Sequence, residues 1–246
     1  MLDTWLTGRR AKGKGGLIGN DAPPEPDPHE STIQRASALA RAGKIREAAE
    51  GYREAAQGFL SSGRPIQAIA AAFEAAWLDP HSDFPADEAV KVARAIVSPV
   101  QRAAGQELIA ELDPRAREAL VWKLHPVSYG RDELVAREGD PSEACWFVAK
   151  GRLRATRMGR LGSPATVGLV GPGELVGESS LIAGLRRRAT LVTLEPTDLL
   201  ELRRADLEEL CGAYPSLKDA FERLQRGRDD RRSRGDRRGG QAHIAA

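Results

Sequence analysis

The run Gly177-Glu178-Ser179-Ser180-Leu181-Ile182-Ala183-Gly184-Leu185-Arg186-Arg187-Arg188-Ala189-Thr190 puts a glycine, a carboxylate and guanidiniums within one short stretch. These residue types suit the capture of a cyclic ribose phosphate. Gly177 can take backbone angles closed to other residues and offers its amide with no Cβ in front of it. A helical turn over Glu178 to Ile182 would point its first N–H groups at an anion. Arg187 can give two parallel charge-assisted bonds to phosphate oxygens, a geometry that lysine lacks. Glu178 can accept from a ribose hydroxyl, a bond to a charged group worth about 1.5–3 kcal/mol. Ala189 keeps the returning strand thin beside the sugar. The ligand-binding set read from the sequence is Gly177, Glu178, Ser179, Ser180, Arg187, Arg188, Ala189 and Thr190. Arg188 either reaches the phosphate or joins a solvated basic face.

Positioning such a stretch requires a frame, and the surrounding sequence predicts a β-roll. Short Val-, Leu- and Thr-rich segments recur between Gly- or Pro-bearing turns at Leu134–Arg137, Trp146–Ala149, Leu153–Thr156, Thr166–Val170, Thr190–Leu194 and Leu199–Leu202. That spacing argues an antiparallel, jelly-roll-like sheet pair. Helices are expected at Arg204–Leu210 and Ser216–Leu224, with Leu217, Phe221 and Leu224 on one apolar face.

Taken together, residues 122–225 resemble the cyclic nucleotide-binding domain family, which includes cAMP-dependent kinase regulatory subunits and the catabolite activator. Gly177, Glu178, Ser180, Leu181, Arg187, Ala189, Thr190 and Leu191 fit that family's phosphate-binding cassette. Gly139 and Gly151 stand where such domains turn between their early strands, and Gly171-Pro172-Gly173-Glu174 resembles the turn leading into the cassette. The resemblance implies a cyclic nucleotide ligand, cAMP favoured, no cofactor, and a lid formed by the helix of Leu217, Phe221 and Leu224. Two positions depart from the pattern: Ser179 replaces an aliphatic residue, and Arg188 replaces a small or hydroxyl residue. With Arg188 there, base preference does not carry over, and a cyclic dinucleotide stays open.

The first half of the chain differs in kind. Ala-rich helices are expected at Thr32–Ala42, Lys44–Leu60, Pro65–Leu78, Ala86–Ile96, Gln101–Leu112 and Pro114–Leu120. The segments after Gly43 and Gly63 echo each other and resemble tetratricopeptide-like half-repeats, although the offset is shorter than the about 34 residues of the full repeat. The fold class is thus α+β in two domains, a helical-hairpin array followed by a β-roll with flanking helices. The expected division is a basic, Pro-rich segment over 1–30, helices over 31–121, the roll over 122–225, and an Arg-rich tail without fixed structure over 226–246.

Composition sets further bounds. The chain has 246 residues, 41% of them hydrophobic and 29% charged, and a net charge of +2, as in ordinary soluble proteins. Cys145 and Cys211 stand singly, the four histidines are scattered, and no metal site or catalytic constellation is read. No apolar run is long enough for a membrane span and no signal peptide is evident, so the cytoplasm is expected. The Arg-Gly-Asp-rich stretch after Leu224 is not expected to hold a helix-turn-helix. The leading expectation is a non-enzymatic cyclic nucleotide receptor that signals through its helical region to an unknown protein partner, with homodimerisation open. A ligand-free scaffold is one alternative. Nucleic-acid binding through Arg226–Arg238, which carries seven arginines against three aspartates, is the less favoured other.

Overall fold

A computed structural model describes residues 27–78, 89, 91–93, 104–159 and 162–240. Residues 1–26 of the expected N-terminal segment over 1–30, and most of the expected helix Ala86–Ile96, lie outside them. Among the described residues the helices that come first include α1 (Pro28–Arg41), α2 (Ile45–Ser61), α3 (Pro65–Leu78), α4 (Ala104–Glu111) and α5 (Pro114–Trp122). The echo seen in sequence is physical, because Gly43 and Gly63 occupy equivalent turns after α1 and α2 with φ of 76° and 70°. In α2 the residues Ala48, Ala49, Tyr52, Ala55, Ala56 and Phe59 recur at helical spacing and are buried. Small alanines on α2 and α3 let the two helices pack closely. At the end of α4 the buried Arg117 guanidinium donates to the carbonyls of Ile109, Ala110 and Leu112 at 3.0, 3.1 and 2.9 Å, satisfying groups that a helix leaves unpaired.

Among the described residues eight strands follow: β1 (Leu124–Tyr129), β2 (Leu134–Ala136), β3 (Ala144–Lys150), β4 (Leu153–Met158), β5 (Pro164–Val170), β6 (Leu175–Val176), β7 (Thr190–Thr193) and β8 (Thr197–Arg203). The five-residue helix α6 (Glu178–Ile182) sits between β6 and β7, and α7 (Arg204–Ala213) and α8 (Pro215–Gly240) follow β8. The strands form two four-stranded sheets, in the orders β1-β8-β3-β6 and β2-β7-β4-β5, with antiparallel pairing throughout. Two of these strands escape the sequence reading. β1 contains Pro126, which cannot donate to a ladder, and the strand accordingly lies at a sheet edge, paired only with β8. β6 is two residues long.

Strand β3 explains how the layers join. Ala144, Trp146 and Val148 point into the roll with Leu153, Val176, Leu191 and Leu199. Cys145, Phe147 and Ala149 point the other way, into a cluster with Phe59, Ile66 and Ile69 of the helical segment and Leu217 and Phe221 of α8. This alternation is the period-2 rule with both faces covered. One apolar cluster is thus shared between the helical segment and the roll. Gly105 in α4 sits close against it, where a Cβ would stand 2.8 Å from the Gly173 carbonyl oxygen and 2.9 Å from Ile66 Cδ1. The Arg-rich segment also departs from expectation, since α8 runs on to Gly240. Arginine is a good helix former, and Arg226 pairs with Glu222 one turn back at 3.8 Å.

Two acids, Asp198 buried and Glu74 partly buried, stand where the helices meet the roll. Burial, with Asp198 nearby, pushes Glu74 of α3 up to about 7. Burial pushes Asp198 of β8 up to about 6, against the opposing effects of Lys150 and a 3.0 Å hydrogen bond from the Ser128 hydroxyl. Both shifts are upward, so between the unfolded and folded values the folded chain holds more protons. The stability these acids supply is full below about pH 4 and is lost as pH rises through their folded values. Glu74→Gln is expected to remove part of the fall in melting temperature between about pH 5 and pH 8, on the order of 2–3 kcal/mol of stability. Thermal melts across that range check it; profiles that superimpose would contradict the burial assigned to Glu74.

Candidate functional site

The mouth of the roll holds a cavity of about 530 Å³, within the range of about 300–1,000 Å³ usual for small-molecule sites. Its wall includes Tyr129, Trp146, Arg187, Glu201, Arg203 and Arg204. Arg187 is the residue that β7 and the β2–β3 loop deliver there. Its backbone N–H donates to Asp140 O at 2.8 Å, and its carbonyl accepts from Gly139 N–H at 2.9 Å. Inside, its guanidinium lies 4.6 Å from the centre of the Trp146 ring. It donates to the Ala144 carbonyl at 2.6 Å and to the Gly177 carbonyl at 3.1 Å. The side chain is nine-tenths buried, and burial is the main cause that lowers its proton affinity.

The wall continues as a chain of contacts. Trp146 Nε1–H donates to Glu201 at 3.2 Å, and the other oxygen of Glu201 accepts from Arg203 Nε at 3.1 Å. Glu201 thus fixes the plane of the indole on which Arg187 rests.

The remaining sequence-predicted residues divide around this point. Gly177 caps α6 with φ of 85°, adjacent to Arg187. Glu178 is fully buried, accepts from the Ser179 hydroxyl at 2.8 Å, and lies off the cavity wall. Ser180 is buried. Ala189 packs against the roll interior, and the Thr190 hydroxyl accepts from Glu138 N–H at 3.0 Å. Arg188 is exposed, and Arg186 donates to the Gly139 carbonyl at 2.8 Å. Leu217 and Phe221 are buried in the core shared with the helices, with Leu224 packed against it, and none of the three lines the cavity.

Arg203, Arg204, Glu201 and Tyr129 were not in the sequence-read set. A signal for the first two was available. Two cations at the start of a helix run against its dipole, and such a placement asks for another use of the charges.

Among the described residues no group of three or more metal-ligating side chains comes together, and no helix is long and apolar enough to cross a membrane. Residues 126–214 match the family model of the cyclic nucleotide-binding domain. A cyclic AMP receptor protein of Thermus thermophilus is 38% identical over 87 residues, covering 35% of this chain and 40% of that protein. A cAMP-dependent protein kinase regulatory subunit of Dictyostelium discoideum is 28% identical over 113 residues, 45% of this chain and 35% of that one. The chain therefore spans two fifths or less of these two relatives. The crystal structure of Thermus thermophilus catabolite activator protein aligns at 30% identity over 51% of this chain and 59% of that chain, with a TM-score of 0.48.

The glycine that opens the cassette offers a direct check on this geometry. A Cβ on Gly177 would stand 2.6 Å from Arg187 Nη1 and 3.1 Å from Trp146 Cζ3, on a backbone that side chains rarely adopt. Gly177→Ala is expected to cost about 1–3 kcal/mol and to unseat Arg187, read by chemical denaturation and by Trp fluorescence. Wild-type stability and an unaltered emission spectrum would contradict the seat described. The roll, the left-handed glycine and the cassette arginine all fall within the span, residues 126–214, that matches the cyclic nucleotide-binding domain model.

Proposed function

We propose that the chain is a receptor for a cyclic nucleotide, cAMP favoured, and that the ligand enters the cavity at the mouth of the roll. The observation that carries this reading is the nine-tenths buried Arg187 on the wall of that cavity, within the matched domain. Its two acceptors, the carbonyls of Ala144 and Gly177, are neutral, whereas a phosphate carries opposite charge and can take two parallel N–H···O bonds from one guanidinium. A phosphate arriving in the cavity takes over part of that hydrogen bonding. Glu178 reaches the sugar only if the short helix α6 turns toward the cavity, and that rearrangement is the conformational signal. Ser179, Ser180, Ala189 and Thr190 shape the cassette around the ligand, and Arg188 supplies an outer cation. The binding proteins named among the relatives support the ligand class.

Output through the helical region follows from the shared core. Phe147 of β3 packs in one cluster with Phe59, Ile66 and Ile69, so a displaced β3 is felt by α2 and α3. The exposed surfaces of α1 to α3 then serve a protein partner, in the manner of a helical-hairpin array. Ligand binding moves this equilibrium only through unequal affinity for the two arrangements.

A second reading, a ligand-free scaffold, is favoured by the full burial of Glu178 and by the protein's own carbonyls occupying Arg187. Titration calorimetry with cAMP and cGMP separates the two. The receptor reading expects saturable heat with wild type and roughly 100-fold weaker binding by Arg187→Ala, the size of a lost charged hydrogen-bond pair. No heat at millimolar nucleotide would leave the scaffold.

A further inference from the structure

Three consecutive carbonyls in the loop entering β3 are held by two arginines. Ser142 O accepts from the Arg204 guanidinium, Glu143 O from the Arg204 backbone N–H at 2.8 Å, and Ala144 O from the Arg187 guanidinium at 2.6 Å. Arg204 is also bonded in a second direction. Its Nη1 donates at 3.2 Å to the carbonyl of Leu181, inside the cassette helix α6. Glu143 and Glu208 approach the same guanidinium at 3.8 and 3.6 Å, which keeps its charge balanced while it stays in place. A single side chain, the first residue of α7, therefore touches both the β3 entry loop and the cassette.

The loop between them has a polar group left over. The Ser142 hydroxyl is 2% exposed and has no hydrogen-bond partner among the described residues. Buried polar groups are normally satisfied, so the orphan hydroxyl marks this loop as one whose present packing leaves a bond unmade. Arginine is the residue type this position requires. Its planar fork spans two carbonyls at once, whereas a lysine ammonium is a point charge on a flexible stem. The unfavourable placement of a cation at a helix start is thereby explained, since Arg204 is committed to backbone acceptors of other elements.

We propose that Arg204 is a positioning residue that makes the cassette and α7 move together: when Arg187 leaves the Ala144 carbonyl, the loop shifts and Arg204 carries the shift into α7. The physical link stands without a ligand. Its use in reporting nucleotide rests on the receptor reading above.

The test is a double-mutant cycle in the ligand-free full chain, followed by amide hydrogen exchange in residues 204–213. Arg187→Gln alone is expected to speed exchange there by about tenfold, and by less than about twofold when Arg204→Ala is already present. Arg204→Lys, which keeps the charge and reaches one carbonyl, should recover part of the response. A residue that merely stabilises α7 would raise exchange on its own and leave the effect of Arg187→Gln additive. Additivity, or no effect of Arg187→Gln on 204–213, overturns the proposal. Should Arg187→Gln fail to fold, Arg187→Lys takes its place in the same cycle. Repeating the exchange with cAMP on wild type separates the two claims. A non-additive cycle with no binding would sink the receptor reading and leave the link standing, and binding with an additive cycle would do the reverse.

Discussion

A guanidinium inside a β-roll has to be solvated by the protein, and much of the site is arranged around that demand. An isolated buried charge costs several kcal/mol unless it is paired or hydrogen-bonded. Arg187 is held instead by an aromatic face, 4.6 Å away, and by two backbone carbonyls. A cation over indole contributes about 0.5–2 kcal/mol, and each hydrogen bond to a charged group about 1.5–3 kcal/mol. The left-handed turn at Gly177 follows from the same demand, because that turn brings its carbonyl to the guanidinium and leaves no room for a Cβ. Glu201 is drawn in as well, since it fixes the indole.

The same device recurs elsewhere in the chain. Arg117 closes the end of α4 by donating to successive carbonyls, and Arg204 joins the β3 entry loop to the cassette. In each case a fork of donors gathers backbone groups that the secondary structure leaves unpaired. Such contacts are directional and few, so they can be exchanged for a better acceptor. The apolar cluster running from Phe59 through Phe147 to Phe221 is broad and non-directional. It fixes how the helices sit on the roll while the arginines fix the loops at its mouth.

Much of this was legible from residue types. The turns at Gly43, Gly63, Gly139 and Gly177 all have positive φ, and the strands from Leu134 onward fall near the predicted positions because alternation and turn residues agree there. β1 was hidden by Pro126, whose meaning depends on the strand being an edge, which is a tertiary property. The cassette pattern names both Arg187 and Glu178, and the fold places the first on the cavity wall and the second off it. Spacing says which residues share a turn, but burial depends on what packs above it, and here the carboxylate faces inward beside Ser179. The shared core was also out of reach. β3 reads as an apolar run, and only its two covered faces show that the helical half and the roll share one apolar cluster.

The account depends on Arg187 being held in reserve by its own backbone acceptors until a phosphate arrives. A crystal structure of the full chain grown with saturating cAMP tests this most directly. The expected result is nucleotide in the cavity, with Arg187 nitrogens within about 3 Å of phosphate oxygens and at least one of the Ala144 and Gly177 carbonyls released. Nucleotide bound with both carbonyl contacts intact, or a cavity that stays empty, would contradict it.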